Sequence, residues 1–325
     1  MRGRTIGLVL LGLGAFLLAG ALAVRLFLEP ALVRLPLDQT AEPTAQGTDV
    51  DFFNIAELEQ LEGLEADVRQ RVQGDPSSEA ANDDVAVWNF GSVITSEDGM
   101  ELNVGTYRVC IDRRSAEAVD CDVDEVDGED TDIEGLTLTF PFGTEQRDYE
   151  VFNSTTRQAW TATFEGVEEV GGLDTYKFVV DIPETVVRSL EVPAALAGSD
   201  EEGTVMADAV YSNVRTIWVE PTSGVIVTSE EDPNTVRKGP EGTTGATILA
   251  GHFAGSEQTI ADGVERAEDF RSQITLVKTV LPLTMAGVGL VLVVVGAVLV
   301  ARRSRGGAHR DDDSDYSENR PVATV

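Results

Sequence analysis

Two cysteines are the residues of this chain best placed for covalent chemistry. Cys110 and Cys121 are the only cysteines in the sequence, and ten residues lie between them. That spacing suits adjacent strands of a hairpin, and in an oxidising compartment we expect a disulfide. Two reduced, buried thiols are the alternative. A reactive nucleophile ranks third, because no histidine lies near either cysteine in the sequence.

An acidic run overlaps the second cysteine. Residues 120–134 contain nine Asp and Glu in fifteen positions. Carboxylate oxygens are the ligands that Ca²⁺ prefers, so a weak candidate site consists of Asp122, Asp124, Asp127 and Glu129. Counted from Asp122, however, the glycine of an EF-hand loop arrives one place late. A solvated acidic hairpin is therefore the favoured interpretation, and we expect no metal.

Catalytic motifs are scarce. The region between the two long apolar runs has one histidine, His252, and neither a Gly-x-Ser-x-Gly nor a His-Glu-x-x-His motif. His252 fits a half-buried strand position, and Trp88, Trp160 and Trp218 fit core positions in strand-like runs. We expect no cofactor and no enzymatic activity. A glycan hydrolase or transferase stays open, since abundant acids could hide a catalytic carboxylate pair.

Charge excludes one class of partner. The 325 residues contain 24 Lys and Arg against 57 Asp and Glu, which gives a net charge of -33. Nucleic-acid binding depends on basic surfaces that displace counterions from phosphates, so we expect no nucleic-acid partner. The 42% hydrophobic content is high enough for a folded core.

Two apolar runs predict membrane helices at the ends of the chain. Residues 6–24 and 280–301 carry no charge, and arginines flank the outer end of each run. Each run is about as long as a bilayer-spanning helix. By the positive-inside rule, both termini are cytoplasmic, and residues 29–278 lie outside the plasma membrane. The lipid bilayer is the one partner that the sequence indicates directly.

The N-terminal run has a second interpretation. Residues 21–23 read Ala-Leu-Ala, which suits cleavage of a signal peptide. Apolar residues continue beyond this point to Leu28, which lengthens the helix and favours a retained anchor. The region that follows is exported under both interpretations.

Between the runs, alternating and β-branched segments dominate and are separated by Gly- and Pro-containing turns. Roughly ten strands are predicted, including residues 136–140, which indicates a mainly β domain with an antiparallel sandwich or distorted barrel. Ile260, Val264, Ala267 and Ile274 then recur at helical spacing. The last residues lack apolar periodicity and predict disorder.

These patterns divide the chain into seven segments. They are a cytoplasmic N-terminus (1–5), a transmembrane helix (6–28), a stalk (29–49), a β-rich extracytoplasmic domain (50–255), a helix leading to the membrane (256–279), a second transmembrane helix (280–301) and a disordered cytoplasmic tail (302–325).

Several ordered motifs carry a resemblance to a known family. They read D-R-R-x-x-E-A-V from Asp112, F-P-F-G-T-E from Phe140, G-L-x-T-Y-x-F from Gly172 and W-V-E-P-x-x-G-V-I from Trp218. With them, the chain resembles the actinobacterial PorA-type family over nearly its whole length. The motif residues singled out are Asp112, Arg113, Phe140, Pro141, Gly172, Tyr176, Trp218, Glu220, Pro221 and Gly224.

The resemblance implies a two-span envelope membrane protein with a β-rich extracytoplasmic domain, and its label implies a porin. The predicted strands, however, are shorter than the roughly ten residues typical of membrane barrels. Our main expectation is therefore a non-catalytic envelope protein whose ectodomain binds or transfers a lipid or lipoglycan in an apolar cavity of at least roughly 300 Å³. A porin or channel component is the alternative.

Overall fold

The computed structural model describes residues 2–304, so the predicted tail from residue 305 onward lies outside the described residues. The chain forms two compact units. One unit contains residues 33–274 and is called the β unit. The other, the helix pair, contains the helical segments before residue 33 and after residue 274.

The helix pair is built from two long apolar helices. Helix α1 covers Arg2–Ala23 and continues through a π-helical turn, Val24–Leu28, into α2, Glu29–Leu32. On the other side, a π-helical turn at Leu276–Val280 leads into α4, Leu281–Ser304. Both helices are long and apolar enough to cross a membrane. This is a membrane protein.

Glycines let α1 and α4 pack backbone against backbone. A Cβ atom added at Gly14 would lie 2.6 Å from the carbonyl oxygen of Gly289, and one added at Gly296 would lie 2.7 Å from that of Gly7. The earlier glycine of α1 faces the later one of α4, so the helices run antiparallel. Small residues of this kind let membrane helices approach closely.

Three charged residues meet within the helix pair next to the π-helical turns. The Arg25 Nη1 donates to the carbonyl oxygen of Lys278 at 3.0 Å and lies 3.3 Å from a carboxylate oxygen of Glu29. The Lys278 Nζ is 4.0 Å from the other oxygen of Glu29. Charges near the end of an apolar helix are stabilised by such mutual pairing.

The β unit contains fourteen strands and one long helix. The strands are β1 Thr40–Ala41, β2 Thr44–Asn54, β3 Glu59–Gly74, β4 Val85–Ser96, β5 Glu101–Asp112, β6 Glu125–Val126, β7 Glu129–Asp130, β8 Tyr149–Asn153, β9 Gln158–Val170, β10 Leu173–Pro193, β11 Thr204–Val219, β12 Ile226–Glu231, β13 Asn234–Lys238 and β14 Thr244–Gly255. Helix α3 covers Glu257–Thr275, where the helical spacing predicted it. Short 3₁₀ turns occupy Ala194–Ala197 and Pro240–Gly242.

All named strands belong to one antiparallel sheet in the order β7-β6-β5-β4-β3-β2-β14-β12-β11-β10-β9-β8, with β1 beside β3 and β13 between β11 and β14. Isolated bridges then join β5 to β8: Ile111 pairs with Ala118, Glu117 with Leu136, and Leu136 with Val151. The sheet therefore closes on itself. The mainly β prediction is confirmed, and of its two forms the structure is a distorted barrel.

The strand predictions differ from the structure in length and in one position. Strand β10 is 21 residues long, and β3 and β11 have 16 each. Bulges in β10 near residues 182–188 interrupt the alternation on which strand prediction depends. Residues 136–140 form no strand; they supply the bridge at Leu136 and bury Phe140.

The sheet also begins earlier than expected. Strands β1 and β2 start within residues 29–49, the segment predicted as a stalk. Thr44 binds α3 through its backbone: its N–H donates to the hydroxyl oxygen of Thr259 at 2.7 Å. The Thr259 hydroxyl in turn donates to the Thr44 carbonyl oxygen at the same distance. Residues 40–49 therefore belong to the sheet of the β unit and not to a stalk.

Aromatic side chains dominate the largest core cluster. Phe140 and Phe178 stack with their centroids 4.8 Å apart, and Tyr149 contacts both rings edge-on. A smaller cluster holds α3 on the sheet: Ala267 is fully buried among Leu173, Val225 and Val227. These clusters fill part of the barrel and leave a hollow region between them.

Candidate functional site

A cavity of about 810 Å³ lies inside the β unit. Strands from both sides of the barrel line it, together with α3. Side chains alternate between the two faces of β3. Val68, Gln70 and Val72 line the cavity, whereas Arg69 and Arg71 between them are exposed on the outer face. The cavity is therefore the inside of the closed sheet.

Positive charge prevails on the cavity wall. Five arginines but only three acids line it, although acids outnumber basic residues more than twofold in the whole chain. The charged lining residues are Asp127, Glu129, Arg157, Arg188, Arg215, Glu231, Arg237 and Arg266. The sign of the charge thus reverses between the chain as a whole and the cavity.

Two of these arginines pair with acids on the same wall. Arg157 Nη1 lies 2.6 Å from a carboxylate oxygen of Glu129, and Arg215 Nε lies 3.8 Å from one of Glu231. Arg215 and Glu231 face each other directly across β11 and β12. The Arg157 pair is the closer one, whereas Arg215 Nε is buried without a hydrogen-bond partner among the described residues.

Two buried tyrosines lie close enough to Arg215 and Glu231 for those charges to act on them. Burial raises the pKa of Tyr107, and it raises the pKa of Tyr211 to about 12. Both phenols are neutral at physiological pH as a result. They contribute hydroxyl groups to the cavity wall without adding charge.

The remaining β-strand arginines share one row of the sheet. Ala209 on β11 pairs with Arg188 on β10 and with Arg237 on β13, so the two arginines flank a small side chain. Arg237 Nη1 is buried and has no hydrogen-bond partner among the described residues. Burial lowers the pKa of Arg237, and the charge of Arg188 lowers it further.

Cys110 and Cys121 are joined by a disulfide, as the spacing predicted. Cys110 is in β5. Cys121 closely follows Glu117 and Ala118, two of the residues whose isolated bridges join β5 to β8. Asp124 lies beside the bond and accepts the Cys110 N–H at 2.8 Å. Burial raises the pKa of this carboxyl group to about 6.

The four candidate calcium ligands form no metal-binding group among the described residues. Asp122 is exposed, Asp127 accepts the Thr106 N–H at 2.9 Å, and Glu129 pairs with Arg157. Among the described residues, the one group with ligand atoms close enough for a metal is Cys110, Cys121 and Asp124. Its two sulfurs are committed to the disulfide, so they offer no thiolate ligand.

The first family motif builds a turn. The Asp112 carboxylate accepts the N–H groups of Arg114 and Ser115, each at 2.8 Å. Arg113 donates its Nε to the carbonyl oxygen of Leu35 at 2.6 Å and an Nη1 to that of Asp83 at 3.1 Å. These contacts tie three loops together at the end of β5.

Two further motifs meet inside the core. The Phe140 N–H donates to the carbonyl oxygen of Gly224 at 2.9 Å. A Cβ at Gly224 would lie 2.1 Å from the Phe140 carbonyl oxygen, and its φ of 72° also requires glycine. The buried Glu220 carboxylate caps this turn by accepting the N–H groups of Thr222 and Ser223.

The remaining motif residues also form turns, packing contacts or hydrogen bonds within the β unit. The Pro141 carbonyl accepts the Thr144 hydroxyl at 2.8 Å, Gly172 has a φ of 87°, and Pro221 follows Glu220 in the capped turn. Tyr176 packs edge-on against Phe164. The Trp218 indole donates to Glu168 at 2.8 Å. The family motifs therefore maintain turns and packing around the barrel.

The histidine and the other tryptophans lie apart from these motifs. His252 is in β14, with its Nδ1 2.8 Å from an oxygen of Asp232 on the surface. Trp88 is buried and donates its indole N–H to the carbonyl oxygen of Pro36 at 3.1 Å. Trp160 packs against the largest core cluster.

Sequence reasoning missed the arginines of the cavity. Arg188, Arg215 and Arg237 each directly follow a valine within a strand. That pattern fits an outward-facing charge as well as an inward-facing one. The one available signal was the period of two, which places Arg215 on the same face of β11 as Asn213 and Ile217, both of which are buried.

Comparison with known proteins gives a consistent result. The family model described as Porin PorA matches residues 6–298. A Porin PorA of Corynebacterium amycolatum is 24% identical over 90% of this chain and 97% of its own length. A Porin PorA of Corynebacterium resistens is 22% identical over 94% of this chain and 98% of its own.

These matches overturn the expectation of lipid or lipoglycan binding and favour the porin alternative. The cavity exceeds the expected volume, and eight charged side chains line it together with apolar ones. The strand-length argument also fails, because the main strands are longer than predicted. The chain belongs to the Porin PorA family.

Proposed function

We propose that this chain is a subunit of an envelope porin and that small polar solutes pass through the cavity of its β unit. The observation that carries the proposal is the 810 Å³ cavity with charged and hydroxyl side chains inside a closed sheet. Polar walls of this kind replace part of the hydration of a passing solute. The proposal contains no catalytic step.

The outer face of the β unit supports its location in water. Membrane barrels present an outward apolar band about 25 Å tall. Here the exposed positions of β3 include Glu65, Asp67, Arg69 and Arg71, and those of β9 include Glu165. The helices would then cross the lipid. One pair of helices encloses no channel, so several copies would surround the membrane part of the path.

Orientation follows from the arginines outside each apolar run. We place the helices in the plasma membrane, both termini in the cytoplasm and residues 29–278 outside. Protease added to intact cells should cut a tag inserted near Gly239 and spare tags at both termini. Cleavage of a C-terminal tag in intact cells would contradict this orientation.

Conductance tests the solute path directly. The purified full chain is reconstituted in planar lipid bilayers, and Ala209→Cys is compared with Met206→Cys. Ala209 lines the cavity, whereas Met206 on the same strand is 59% exposed outside it. A bulky methanethiosulfonate reagent should reduce the current of Ala209→Cys by at least half and leave that of Met206→Cys unchanged. Because the reagent acts on folded protein, misfolding cannot cause the loss.

Two results would overturn the proposal. One is the absence of any conductance from the full chain in bilayers. The other is unchanged current after mass spectrometry has shown modification of Cys at position 209, because the path would then bypass the cavity.

A further inference from the structure

We propose that Arg188 and Arg237 form a binding site for a small oxyanion, of the sulfate and phosphate class, inside the cavity. As a consequence that rests on the proposed porin function, this site makes the solute path selective for anions. The juxtaposition of two arginines that face one cavity and lack acidic partners is the basis of the inference.

The sheet register brings the two arginines together. They lie in one cross-strand row on either side of Ala209, which is buried and has only a methyl side chain. Side chains in one row of a sheet point to the same face, and the small residue between them leaves space above it. Two guanidinium groups can therefore approach a shared ligand over Ala209.

The charges of this pair are not neutralised within the described residues. The other β-strand arginine of the cavity, Arg215, pairs with Glu231, but neither Arg188 nor Arg237 forms an ion pair with a described acid. Arg237 Nη1 is buried without a hydrogen-bond acceptor among the described atoms, whereas Arg188 is exposed to solvent. A buried donor of this kind gains more than an exposed one when an acceptor arrives.

Guanidinium groups suit oxyanions in geometry as well as in charge. Arginine donates two parallel N–H groups to the oxygens of sulfate, phosphate or carboxylate. At physiological ionic strength, charges are screened over about 8 Å. The two local positive charges therefore act on an ion in the cavity more strongly than the distant acids of the outer surface.

Sulfate is the probe for the site itself. Titration of the full chain in detergent by isothermal calorimetry should show sulfate binding that Arg188→Gln and Arg237→Gln each weaken about tenfold or more. Arg69→Gln removes the same charge from the outside of β3 and should bind as the unmodified chain does. Arg237→Lys retains the charge and should bind sulfate more tightly than Arg237→Gln. This result would show that Arg237→Gln weakens sulfate binding by removing the charge and not by unfolding the protein.

Three binding results would overturn the site. They are no sulfate binding by the full chain, equal binding by Arg237→Gln and the full chain, and equal weakening by Arg69→Gln. A short-chain phosphatidic acid tests the origin of the anion. If it bound more tightly than free sulfate and phosphate, the site would belong to a headgroup and the assignment to a free ion would be wrong.

Reversal potentials separate this inference from the porin function. In a KCl gradient across a bilayer, the full chain should give a potential of the sign for chloride preference, and Arg188→Gln with Arg237→Gln should shift it towards zero. Conductance without that preference would overturn the anion selectivity and leave the porin proposal standing. Arginine-dependent sulfate binding without conductance would overturn the porin proposal and leave the site standing.

Discussion

The helix pair and the β unit place their polar and apolar groups in opposite ways. In the helix pair, large apolar side chains such as Phe16 and Phe27 are more than two-thirds exposed, and glycines form the contact between helices. In the β unit, aromatic side chains are buried, charges cover the outer face of β3, and the interior is partly hollow. One region suits lipid as its solvent and the other suits water.

The difference indicates which unit can contain the proposed solute path. Backbone contact at Gly14 and Gly289 leaves no room for a solute between the two helices of one chain. The β unit, in contrast, has a polar space inside a closed sheet.

The largest effect is expected for a buried ring. Phe178 is fully buried and contacts the rings of Phe140, Tyr149 and Phe164. Phe178→Ala should reduce the free energy of unfolding of the β unit by about 3–5 kcal/mol, measured by denaturant titration with near-UV circular dichroism. Phe16→Ala deletes the same group where the side chain is 70% exposed and should leave that value unchanged. Similar losses in both variants would contradict the comparison.

Loss of the disulfide should have the next largest effect. Replacing both Cys110 and Cys121 by Ala releases a cross-link with a sequence separation of 11, which is expected to cost about 3 kcal/mol or less. The measurement is the same denaturant titration of the β unit. An unchanged midpoint would show that the cross-link adds no stability.

Glycine contacts in the helix pair can be tested with a matched control. A Cβ at Gly14 would contact the backbone of α4 at 2.6 Å, whereas nothing lies within 4 Å of one at Gly12. Gly14→Leu should destabilise the pair by about 1–3 kcal/mol, measured as a lower SDS concentration at the midpoint of helix unfolding. Gly12→Leu should leave the midpoint unchanged. The reverse order would mean that the helices pack through another face.

The smallest effect concerns pH. Burial raises the pKa of Asp124 from about 4 in the unfolded chain to about 6 in the folded one. The folded state thus binds the proton more tightly, so the stability from the neutral carboxyl group is present below pH 4 and is lost as pH rises to 6. The melting temperature of Asp124→Asn relative to the unmodified chain should increase across this window. Asp122→Asn, at an exposed neighbour, should show no such trend.

Periodicity was enough to predict the fold class but not the closure of the sheet. Alternation identified the β-rich region because most strands bury one face. The closure between β5 and β8 depends on Ala118, Glu117 and Leu136, which form isolated bridges outside any named strand. No periodic pattern marks such residues, so the barrel could not be distinguished from a sandwich.

The cavity could not be predicted for a related reason. Arg188 and Arg237 are 49 positions apart in sequence, and the register through Ala209 that joins them depends on a bulge in β10. A one-residue change in that register would turn the arginine to the opposite face. The disulfide was predictable because its two residues are close in sequence and no other cysteine competes.

The hydrogen bonds between Thr44 and Thr259 limit when the β unit can complete its fold during synthesis. These residues are 215 positions apart, and they lie where β2, β14 and the start of α3 meet. The isolated bridges between β5 and β8, in contrast, join residues that are close in sequence. They can form as soon as those residues have been synthesised. The slow loop closure therefore occurs between the two ends of the β unit. Synthesis must reach β14 before the β unit can complete its ring.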